Sequence, residues 1–291
     1  MKPLISIIIP TYNHANFLNR CLNSIVAQTY ANWEAIVIDN FSVDETSSVI
    51  EKFSNYNITY LKFKNNGIIA SSRNYGILKS KGSLIAFLDS DDWWVPEKLE
   101  VSVKHINNGI DLTYHSLKRI INFNNSKNNS VFKSRKLHSP VFLDLILHGN
   151  TIANSSVVMK KSILIESGVL DENKEIIAAE DYDLWVRVSL ITDKFYMIPE
   201  NLGFYWYGGN NISKKTNYGD KFRYIIQKHK KIISNKNLTK AFGFECYIEG
   251  LNSLNHKRKK ESLMFFIKSI YNATLKIKIK SIYRILTIPF K

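Results

Sequence analysis

The first 90 residues alternate between short apolar runs and segments with helical periodicity. Runs rich in Ile, Leu, Val and Phe predict strands at Leu4 to Ile9, Glu34 to Ile38, Ile58 to Phe63 and Leu84 to Leu88. Amphipathic segments between them predict helices at Phe17 to Gln28, Thr46 to Phe53 and Ser71 to Lys79. This alternation predicts an α/β fold with a mostly parallel, Rossmann-like sheet that helices cover on both faces.

The pattern is less regular after residue 92. Helices are predicted at Pro96 to Ile106, Val141 to Leu147, Lys161 to Ser167 and Ala179 to Leu190, and an extended piece is predicted at Leu112 to Ile121. The polar run Asn122 to Ser130 predicts a loop. Residues 214–291 predict a mostly helical, Lys-rich extension, so we expect one main domain over 1–213 followed by that extension.

Composition excludes several classes of protein. The chain is 45% hydrophobic, which excludes a disordered chain, and no uninterrupted apolar run reaches the length of about 18 residues that a membrane span needs. We find no signal-peptide pattern, and Cys21 and Cys246 lie too far apart to suggest a disulfide framework or a zinc ribbon. These features predict a cytoplasmic globular protein.

The net charge of +15 comes entirely from the end of the chain. Residues 1–213 contain 21 Lys or Arg and 21 Asp or Glu, whereas residues 214–291 contain 19 and 4. Between Leu263 and Arg284, apolar residues at near-helical spacing alternate with lysines, as in a helix that lies on an anionic membrane surface. The alternatives are a helical extension with solvated lysines and, at Leu275 to Lys280, a short strand. We find no nucleic-acid-binding motif.

Two carboxylates follow predicted strands. Asp39 ends the second strand and Asp89 ends the fourth, so both are expected at the carboxyl rim of the sheet, where ligands bind in this fold class. Asp89 and Asp91 are separated by one residue and suit a hard cation, a ribose, or one of each. Without His or Cys nearby in sequence, Mg²⁺ or Mn²⁺ is favoured. The alternative is that these residues form a turn or cap the next helix.

The segment after the first strand excludes two common nucleotide-binding folds. It reads PTYNHANF, and the chain has neither a GxxxxGK[ST] loop nor a GxGxxG at this place. Pro10, Thr11, Tyr12 and Asn13 instead offer a rigid turn, a hydroxyl, an aromatic face and an amide, which together suit a base and a ribose. The alternative is a plain loop that caps the next helix.

Four linked segments carry a resemblance to a known family. They are SIIIPTYN at Ser6 to Asn13, EAIVIDNFSVDET at Glu34 to Thr46, NNGIIASSRNYGI at Asn65 to Ile77 and IAFLDSDDWW at Ile85 to Trp94. In order and spacing they resemble the family 2 glycosyltransferases of the type A fold, over roughly residues 4–213. The resemblance implies a sugar-nucleotide donor and transfer that inverts the anomeric centre, with a nucleotide-binding half over 1–92 and an acceptor half over 93–213.

The resemblance also implies roles for single residues. Pro10, Thr11, Tyr12 and Asn13 are expected to line the base pocket, and Asp39 to accept the N3–H of uracil. Arg73 is expected near the base or the phosphates, with a surface cation as the alternative. Asp89 is expected to contact the ribose, Asp91 to bind the Mn²⁺ or Mg²⁺ that bridges the diphosphate, and Asp92 to support the site or cap a helix.

Two later segments extend the likeness and contain one departure. The family's later motifs are similar to GVLDEN at Gly168 to Asn173 and AAEDYDLWVRV at Ala178 to Val188. The resemblance implies that the acidic pair Glu180 and Asp181 marks the catalytic base, which is expected to be Asp181. Without the resemblance, these acids equally fit the first turn of an amphipathic helix. Many relatives continue with a Tyr-Arg-x-His segment, but residues 205–213 contain no Arg or His, so Asn210, Asn211, a backbone group or water is expected to complete the metal site.

The sequence thus predicts a metal-dependent inverting transferase that moves a sugar from a UDP-sugar to a lipid-linked or cell-surface glycan precursor. It is expected on the inner face of the cytoplasmic membrane. A sugar nucleotidyltransferase is the first alternative, although PTYNHANF lacks the Gly-rich loop expected of one. A nucleotide-sugar-binding module that has lost transfer is the second.

Overall fold

The computed structural model describes residues 2–122, 130–208 and 217–288. Most of the predicted loop at Asn122 to Ser130 lies outside the described residues, as do Asn210 and Asn211. The chain divides into two compact units. The first unit is Met1–Leu137 with Thr151–Asn211, and the second is His138–Asn150 with Ile212–Lys291.

A mostly parallel sheet forms the centre of the first unit. Its strands are β1 (Ile5–Thr11), β2 (Trp33–Asp39), β3 (Ile58–Lys62), β4 (Leu84–Phe87), β6 (Leu112–His115), β9 (Val158–Lys160) and β10 (Phe195–Ile198). Within the described residues these seven strands are ordered β10-β6-β9-β4-β1-β2-β3. Strand β9 runs antiparallel to β4 and β6, and the other neighbours are parallel. The predicted fold class is therefore confirmed.

A second, smaller sheet lies in the same unit. Its strands are β5 (Trp93–Trp94), β7 (Leu117–Ile120), β8 (Ser130–Phe132) and β11 (Gly203–Trp206), and the described part is ordered β5-β11-β7-β8. The prediction of one extended piece at Leu112 to Ile121 was incomplete. The extended segment has a break in its strand structure at Ser116, and its two halves, β6 and β7, belong to different sheets. Ser116 Oγ accepts from the Ser134 N–H at that break.

The predicted helices of the first unit are present, with ends shifted by a few residues. They are α1 (Ala15–Val26), α2 (Thr46–Glu51), α3 (Ile69–Lys79), α4 (Lys98–Asn107), α6 (Lys161–Glu166) and α7 (Glu180–Val188). The apolar stripe of α1, with Leu18 and Ile25, joins the core cluster that contains Ile5, Ile7 and Ile9 of β1. Every residue of β1 is buried, as expected for a central strand covered on both faces.

Helix α3 packs unusually close to the sheet. A Cβ atom at Gly76 would lie 2.6 Å from Ile38 Cδ1 and 2.9 Å from Ile8 Cγ2, so glycine is what allows this approach. Arg73 lies one turn earlier on the same helix and contacts the residue that follows β4 by two positions, Asp89. The close packing of α3 therefore helps to set where Arg73 lies.

One lysine is buried in the core of the first unit. The side chain of Lys98 at the start of α4 is fully buried, and its Nζ lies 3.8 Å from the ring centre of Trp94. Within the described residues, no group forms a hydrogen bond with this amine. Burial lowers the pKa of Lys98 well below its usual value.

The second unit contains helices in its described residues. They are α5 (Val141–His148), α8 (Tyr218–His229), α9 (Asn235–Asn255), α10 (Lys259–Asn272) and α11 (Leu275–Thr287). Helix α11 contains Leu275 to Lys280, for which the sequence left a strand open, and the segment is helical. Among the described helices, none combines the length and the apolar character that crossing a membrane requires.

Candidate functional site

The carboxyl ends of three parallel strands meet at one rim of the large sheet. Thr11 at the end of β1 pairs with Asp39 at the end of β2, and Phe87 at the end of β4 pairs with Ile8 of β1. Asp89 follows β4 by two positions, so Asp39 and Asp89 lie at the same rim. This is the arrangement expected from the alternating sequence pattern.

A cavity of about 490 Å³ opens beside this rim. It is lined by Tyr12, Asn40, Phe41, Lys64 and Asn66, which follow β1, β2 and β3. Two aromatic faces, two amides and one cation suit a planar ring that carries a negatively charged group. Of the residues predicted for base binding, Tyr12 lines this cavity.

The other predicted base-site residues lie beside the cavity rather than among its lining residues. Pro10 and Thr11 are buried within β1, and Thr11 Oγ1 has no hydrogen-bond partner among the described residues. Asn13 joins two loops, because its backbone N–H donates to Ser42 Oγ at 2.8 Å and its Oδ1 accepts from the Val43 N–H at 2.9 Å. Asn13 adopts a φ of 51°, a left-handed conformation that asparagine tolerates better than most residues.

Asp39 is fully buried, and both of its carboxylate oxygens accept hydrogen bonds. Oδ1 accepts from the Ser42 backbone N–H at 3.0 Å and from Ser42 Oγ at 2.5 Å, and Oδ2 accepts from the Tyr60 hydroxyl at 2.6 Å. Burial and the nearby Asp39 carboxylate raise the pKa of Tyr60. Each carboxylate oxygen accepts up to about two hydrogen bonds, so Oδ2 retains acceptor capacity, although Asp39 is not among the residues that line the cavity.

Arg73 bridges two carboxylates from distant parts of the sequence. Its Nη2 donates to Asp89 Oδ1 at 2.7 Å, and its Nη1 donates to Glu180 Oε1 at 2.6 Å. Burial alone would lower the pKa of Arg73, but the two carboxylates overcome that effect and raise it. Arg73 is buried, so the surface-cation alternative is wrong.

Asp91 and Asp92 occupy a tight turn after Asp89. The Asp92 N–H donates to the Asp89 carbonyl at 2.9 Å, and Arg20 Nη2 donates to the Asp91 carbonyl at 2.8 Å. Burial, followed by the adjacent charge of Asp89, raises the pKa of Asp91 to about 7. Asp92 is buried, and its Oδ1 accepts from the Trp206 N–H at 2.9 Å, so it fastens the turn to β11 and caps no helix.

The donor set at this turn fits a hard divalent cation. Within the described parts of the chain, no group of three or more His, Cys, Asp or Glu side chains forms a closed metal site. Asp89 and Asp91 offer carboxylate oxygens, and a bound cation would counter the burial and the Asp89 charge that raise the pKa of Asp91. Such a site needs further oxygen ligands from phosphate groups or water, as Mg²⁺ commonly takes.

Asp181 is the second residue of α7 and lies next to the Arg73 bridge. Its Oδ1 accepts from the Tyr182 N–H at 2.7 Å. Burial and the neighbouring Glu180 raise the pKa of Asp181 to about 7, and Arg73 opposes that rise. The helix is amphipathic as predicted, since Leu184, Trp185 and Val188 are fully buried.

Several contacts at the rim were not predicted from the sequence. Glu180 is the partner of Arg73, Tyr60 contacts Asp39, and the Arg20 guanidinium lies 3.7 Å from the ring centre of Trp93. Phe41 and Lys64 line the cavity. Lys64 comes two residues after β3, so applying the strand-end rule to β3 would have found it.

Comparison with known proteins decides the family. The model of "Glycosyl transferase family 2" matches residues 6–166, which is more than half of the chain. The chain belongs to glycosyl transferase family 2. This membership confirms the family expected from the four sequence segments.

Two relatives are each 32% identical to this chain. An uncharacterized glycosyltransferase of Rickettsia typhi is 32% identical over 210 residues, which cover 67% of this chain and 61% of that protein. The UDP-Glc:alpha-D-GlcNAc-diphosphoundecaprenol beta-1,3-glucosyltransferase WfgD of Escherichia coli is 32% identical over 186 residues, which cover 64% of this chain and 69% of that protein. The chain thus spans about three fifths of the Rickettsia typhi relative.

Solved structures share the fold. Residues 1-349 of S. aureus TarS in complex with UDP-GlcNAc superpose with a TM-score of 0.66 at 16% identity, covering 94% of this chain and 83% of that chain. The mannosyltransferase PcManGT of Pyrobaculum calidifontis, in complex with GDP-Man and Mn²⁺, superposes with a TM-score of 0.61 at 14% identity. That match covers 100% of this chain and 82% of the neighbour. This family 2 glycosyltransferase therefore has the fold of sugar-nucleotide-binding enzymes.

Proposed function

We propose that this family 2 glycosyltransferase moves a sugar from a UDP-sugar to a lipid-linked or cell-surface polysaccharide precursor, with inversion at the anomeric carbon. The observation that carries the proposal is the Arg73 bridge between Asp89 and Glu180, with bonds of 2.7 and 2.6 Å. The bridge ties the carboxylates after β4 to the start of α7, where Asp181 lies. A candidate cation-binding turn on the donor side and a candidate base are thereby linked through one buried ion-pair bridge.

Each chemical task in the reaction has a candidate group. Asp181 takes the proton of the acceptor hydroxyl, whose oxygen forms the new bond to the anomeric carbon as the bond to the diphosphate oxygen breaks. The proton ends on the Asp181 carboxylate, and the nucleoside diphosphate leaves with the electron pair. Asp91, with Asp89 beside it, would hold a Mn²⁺ or Mg²⁺ ion, which would supply positive charge to the diphosphate leaving group.

Two observations support a UDP-sugar as the donor: the side chains at the carboxyl edge of the sheet, and the names of similar proteins. Tyr12 and Phe41 offer aromatic faces for a base, Asp39 Oδ2 retains acceptor capacity, and Lys64 supplies a cation. The E. coli relative is named for UDP-Glc, and TarS was solved with UDP-GlcNAc. We therefore propose uridine as the nucleoside, with Pro10, Thr11 and Asn13 shaping the strand end and loop around it.

The acceptor and the place of action rest on the relative with a named substrate. WfgD is named for an alpha-D-GlcNAc-diphosphoundecaprenol acceptor, whose undecaprenol part is a long apolar chain. We propose an acceptor of the same chemical class for this chain, and action at the inner face of the cytoplasmic membrane. In this scheme residues 1–213 form the catalytic domain and residues 214–291 the extension.

Calorimetric titration of UDP, GDP, CDP and dTDP with and without Mn²⁺ tests the donor site. We expect Mn²⁺-dependent binding of UDP, lost in Asp91→Asn and retained in Glu97→Gln, which changes an exposed carboxyl on the same stretch. A transfer assay with UDP-sugars and a polyprenyl-diphosphate sugar, read by the anomeric configuration of the product, tests the reaction. Binding without transfer would support an inactive binding module, and no nucleotide binding would overturn the proposal.

A further inference from the structure

Helix α11 of the second unit carries a buried face and, opposite it, an exposed apolar face. Ile277 and Ser281 are buried, and Ser281 Oγ donates to Ser269 Oγ of α10 at 3.0 Å, so this face packs against the neighbouring helix. The other face carries large exposed side chains at Leu275, Ile279, Ile282, Tyr283 and Leu286. At 3.6 residues per turn, these five side chains fall within an arc of about 100°. The helix therefore has a continuous apolar row that faces away from its packed side.

The row is more exposed than isolated surface residues require. Leu275 is 73% exposed and Leu286 is 77% exposed, at the two ends of the helix. Helix α10 repeats the arrangement, because Met264, Ile267 and Tyr271 are exposed at helical spacing opposite the buried Phe266. Contiguous exposed apolar rows of this kind mark interaction surfaces.

Cations border the apolar row of α11 on both sides. On the same helical projection, Lys276 and Lys280 lie along one edge of the row and Lys278 along the other, with Arg284 behind Lys280. Residues 275–287 contain no Asp or Glu. A groove of about 420 Å³ lies along the Lys280 edge and is lined by Tyr247, Ile279, Lys280, Tyr283 and Arg284. Apolar, phenolic and cationic side chains therefore lie together along this edge of the row.

We propose that the exposed face of α11 is a docking surface for an anionic lipid bilayer, with α11 lying in the plane of the interface. The apolar row enters the acyl boundary, while the flanking cations contact lipid phosphates, as in interfacial amphipathic helices. Charge complementarity selects this occupant, because residues 214–291 carry 19 Lys or Arg against 4 Asp or Glu. The proposal deepens the membrane location given under the proposed function.

Other occupants fit the surface less well. A second copy of the same face would bring together two cationic edges that have no acidic residue between 275 and 287 to neutralise them. A nucleic acid would neutralise the lysines but leave the apolar row in water, where it gains nothing. Of these three occupants, the bilayer is the one that satisfies both the cations and the apolar side chains.

Vesicle sedimentation tests the proposal without donor or acceptor, so its failure is separate from failure of the transfer reaction. The purified full chain is mixed with phosphatidylcholine vesicles that contain phosphatidylglycerol, and with pure phosphatidylcholine vesicles. We expect strong binding to the anionic vesicles and much weaker binding to the neutral ones. Equal binding to both, or no binding to either, would overturn the proposal.

Two sets of variants separate the apolar and the cationic contributions. Replacing Ile279, Tyr283 and Leu286 by Ser should weaken vesicle binding at least about tenfold for each side chain, the equivalent of its burial. Replacing Lys276, Lys278 and Arg284 by Gln should weaken it roughly fivefold for each cation, or about 100-fold in all. Because four of the six side chains are exposed and Lys278 and Arg284 are half-buried, none belongs to the core, and circular dichroism should be unchanged.

Matched controls change the same chemistry elsewhere in the second unit. Ile232→Ser with Phe242→Ser removes two exposed apolar side chains, and Lys230→Gln with Lys231→Gln and Lys236→Gln removes three exposed cations. Both controls should bind vesicles within about threefold of the wild type. If they fall as far as the α11 variants, or if glycerol phosphate alone displaces the protein from vesicles, the assignment of this face to a bilayer is wrong. A dimer that dissociates in the apolar α11 variant would likewise overturn it.

Discussion

Arg73 donates through Nη1 to Glu180 Oε1 at 2.6 Å, and the two residues are 107 positions apart in the sequence. Glu180 is the first residue of α7 and Asp181 is the second. The ion pair therefore holds the first residue of α7, the helix that carries the candidate base, against Arg73 of α3. Both side chains are almost fully buried, so little solvent screens the interaction.

Loss of Arg73 should be costly because it would leave a buried carboxylate without its counter-charge. We expect Arg73→Met to lower the free energy of unfolding by about 3–5 kcal/mol, measured by urea denaturation at neutral pH. Adding Glu180→Gln should recover part of that loss. Lys79→Met, which removes an exposed cation from the same helix, should change stability by less than about 0.5 kcal/mol. A loss in the Lys79 variant as large as that in the Arg73 variant would contradict the role of the pair.

The carboxyl of Asp181 should control the chemical step. We expect Asp181→Asn to lower the single-turnover rate by about 10²–10⁴-fold and leave the affinity for UDP unchanged, because only proton removal from the acceptor is lost. Quenched-flow assays at saturating donor measure the rate, and calorimetry measures the affinity. Glu175→Gln, an exposed carboxyl just before α7, should behave as wild type. Loss of UDP binding in the Asn variant would count against this assignment.

The pH dependence of that step should follow the same carboxyl. Burial and Glu180 raise the pKa of Asp181 to about 7, and a base acts only when it is unprotonated. The single-turnover rate should therefore fall as the pH drops through about 7 and level off above it. Measurement at saturating donor keeps donor binding out of the profile. In Asp181→Asn the residual rate should lose this dependence, and a profile unchanged by the substitution would show that another group titrates.

Much of the fold was predictable because it depends on local periodicity. The four strands and three helices of residues 1–90 follow from apolar runs and stripes, and the strand-end rule placed Asp39 and Asp89 at one rim. The pairing of Arg73 with Glu180 was not predictable, because periodicity describes one element at a time and not which elements meet. The interruption of the strand at Ser116 was missed for a related reason. The apolar pattern of Leu112 to Ile120 predicts extended structure but does not indicate which sheet each half joins.

Gly76 should be intolerant of a side chain, and the cause can be tested by a second substitution. A Cβ at this position would lie 2.6 Å from Ile38 Cδ1, so we expect Gly76→Ala to destabilise the protein by about 1–2 kcal/mol despite alanine's better helix propensity. Ile38→Val removes that Cδ1 atom, so the double variant should be more stable than the sum of the single effects predicts. Urea denaturation of all four proteins gives the coupling. Strict additivity would show that the contact with Ile38 is not the cause.

Replacing the buried Lys98 should stabilise the protein. Lys98→Met keeps the length of the side chain and removes an amine that has no hydrogen-bond partner in the described residues, for a gain of about 1–2 kcal/mol at neutral pH. Because the folded-state pKa is lowered, the unfolded state binds the extra proton, and wild-type stability rises as the pH approaches about 10.4. The advantage of methionine should shrink over that range. Lys104→Met, an exposed position on α4, should show neither effect.

Because β9 runs antiparallel to its neighbours β4 and β6, the start of β9 lies at the edge of the sheet where β4 and β6 end. Parallel strands reach that edge with the residues that follow them, but β9 reaches it with the residues that precede it. Ser155 Oγ accepts from the Asp89 N–H at 3.1 Å, and the Ser155 carbonyl accepts from Trp94 Nε1 at 2.7 Å. A search of the sequence for rim residues must therefore also examine the residues that precede β9, where Ser155 contacts both Asp89 and Trp94.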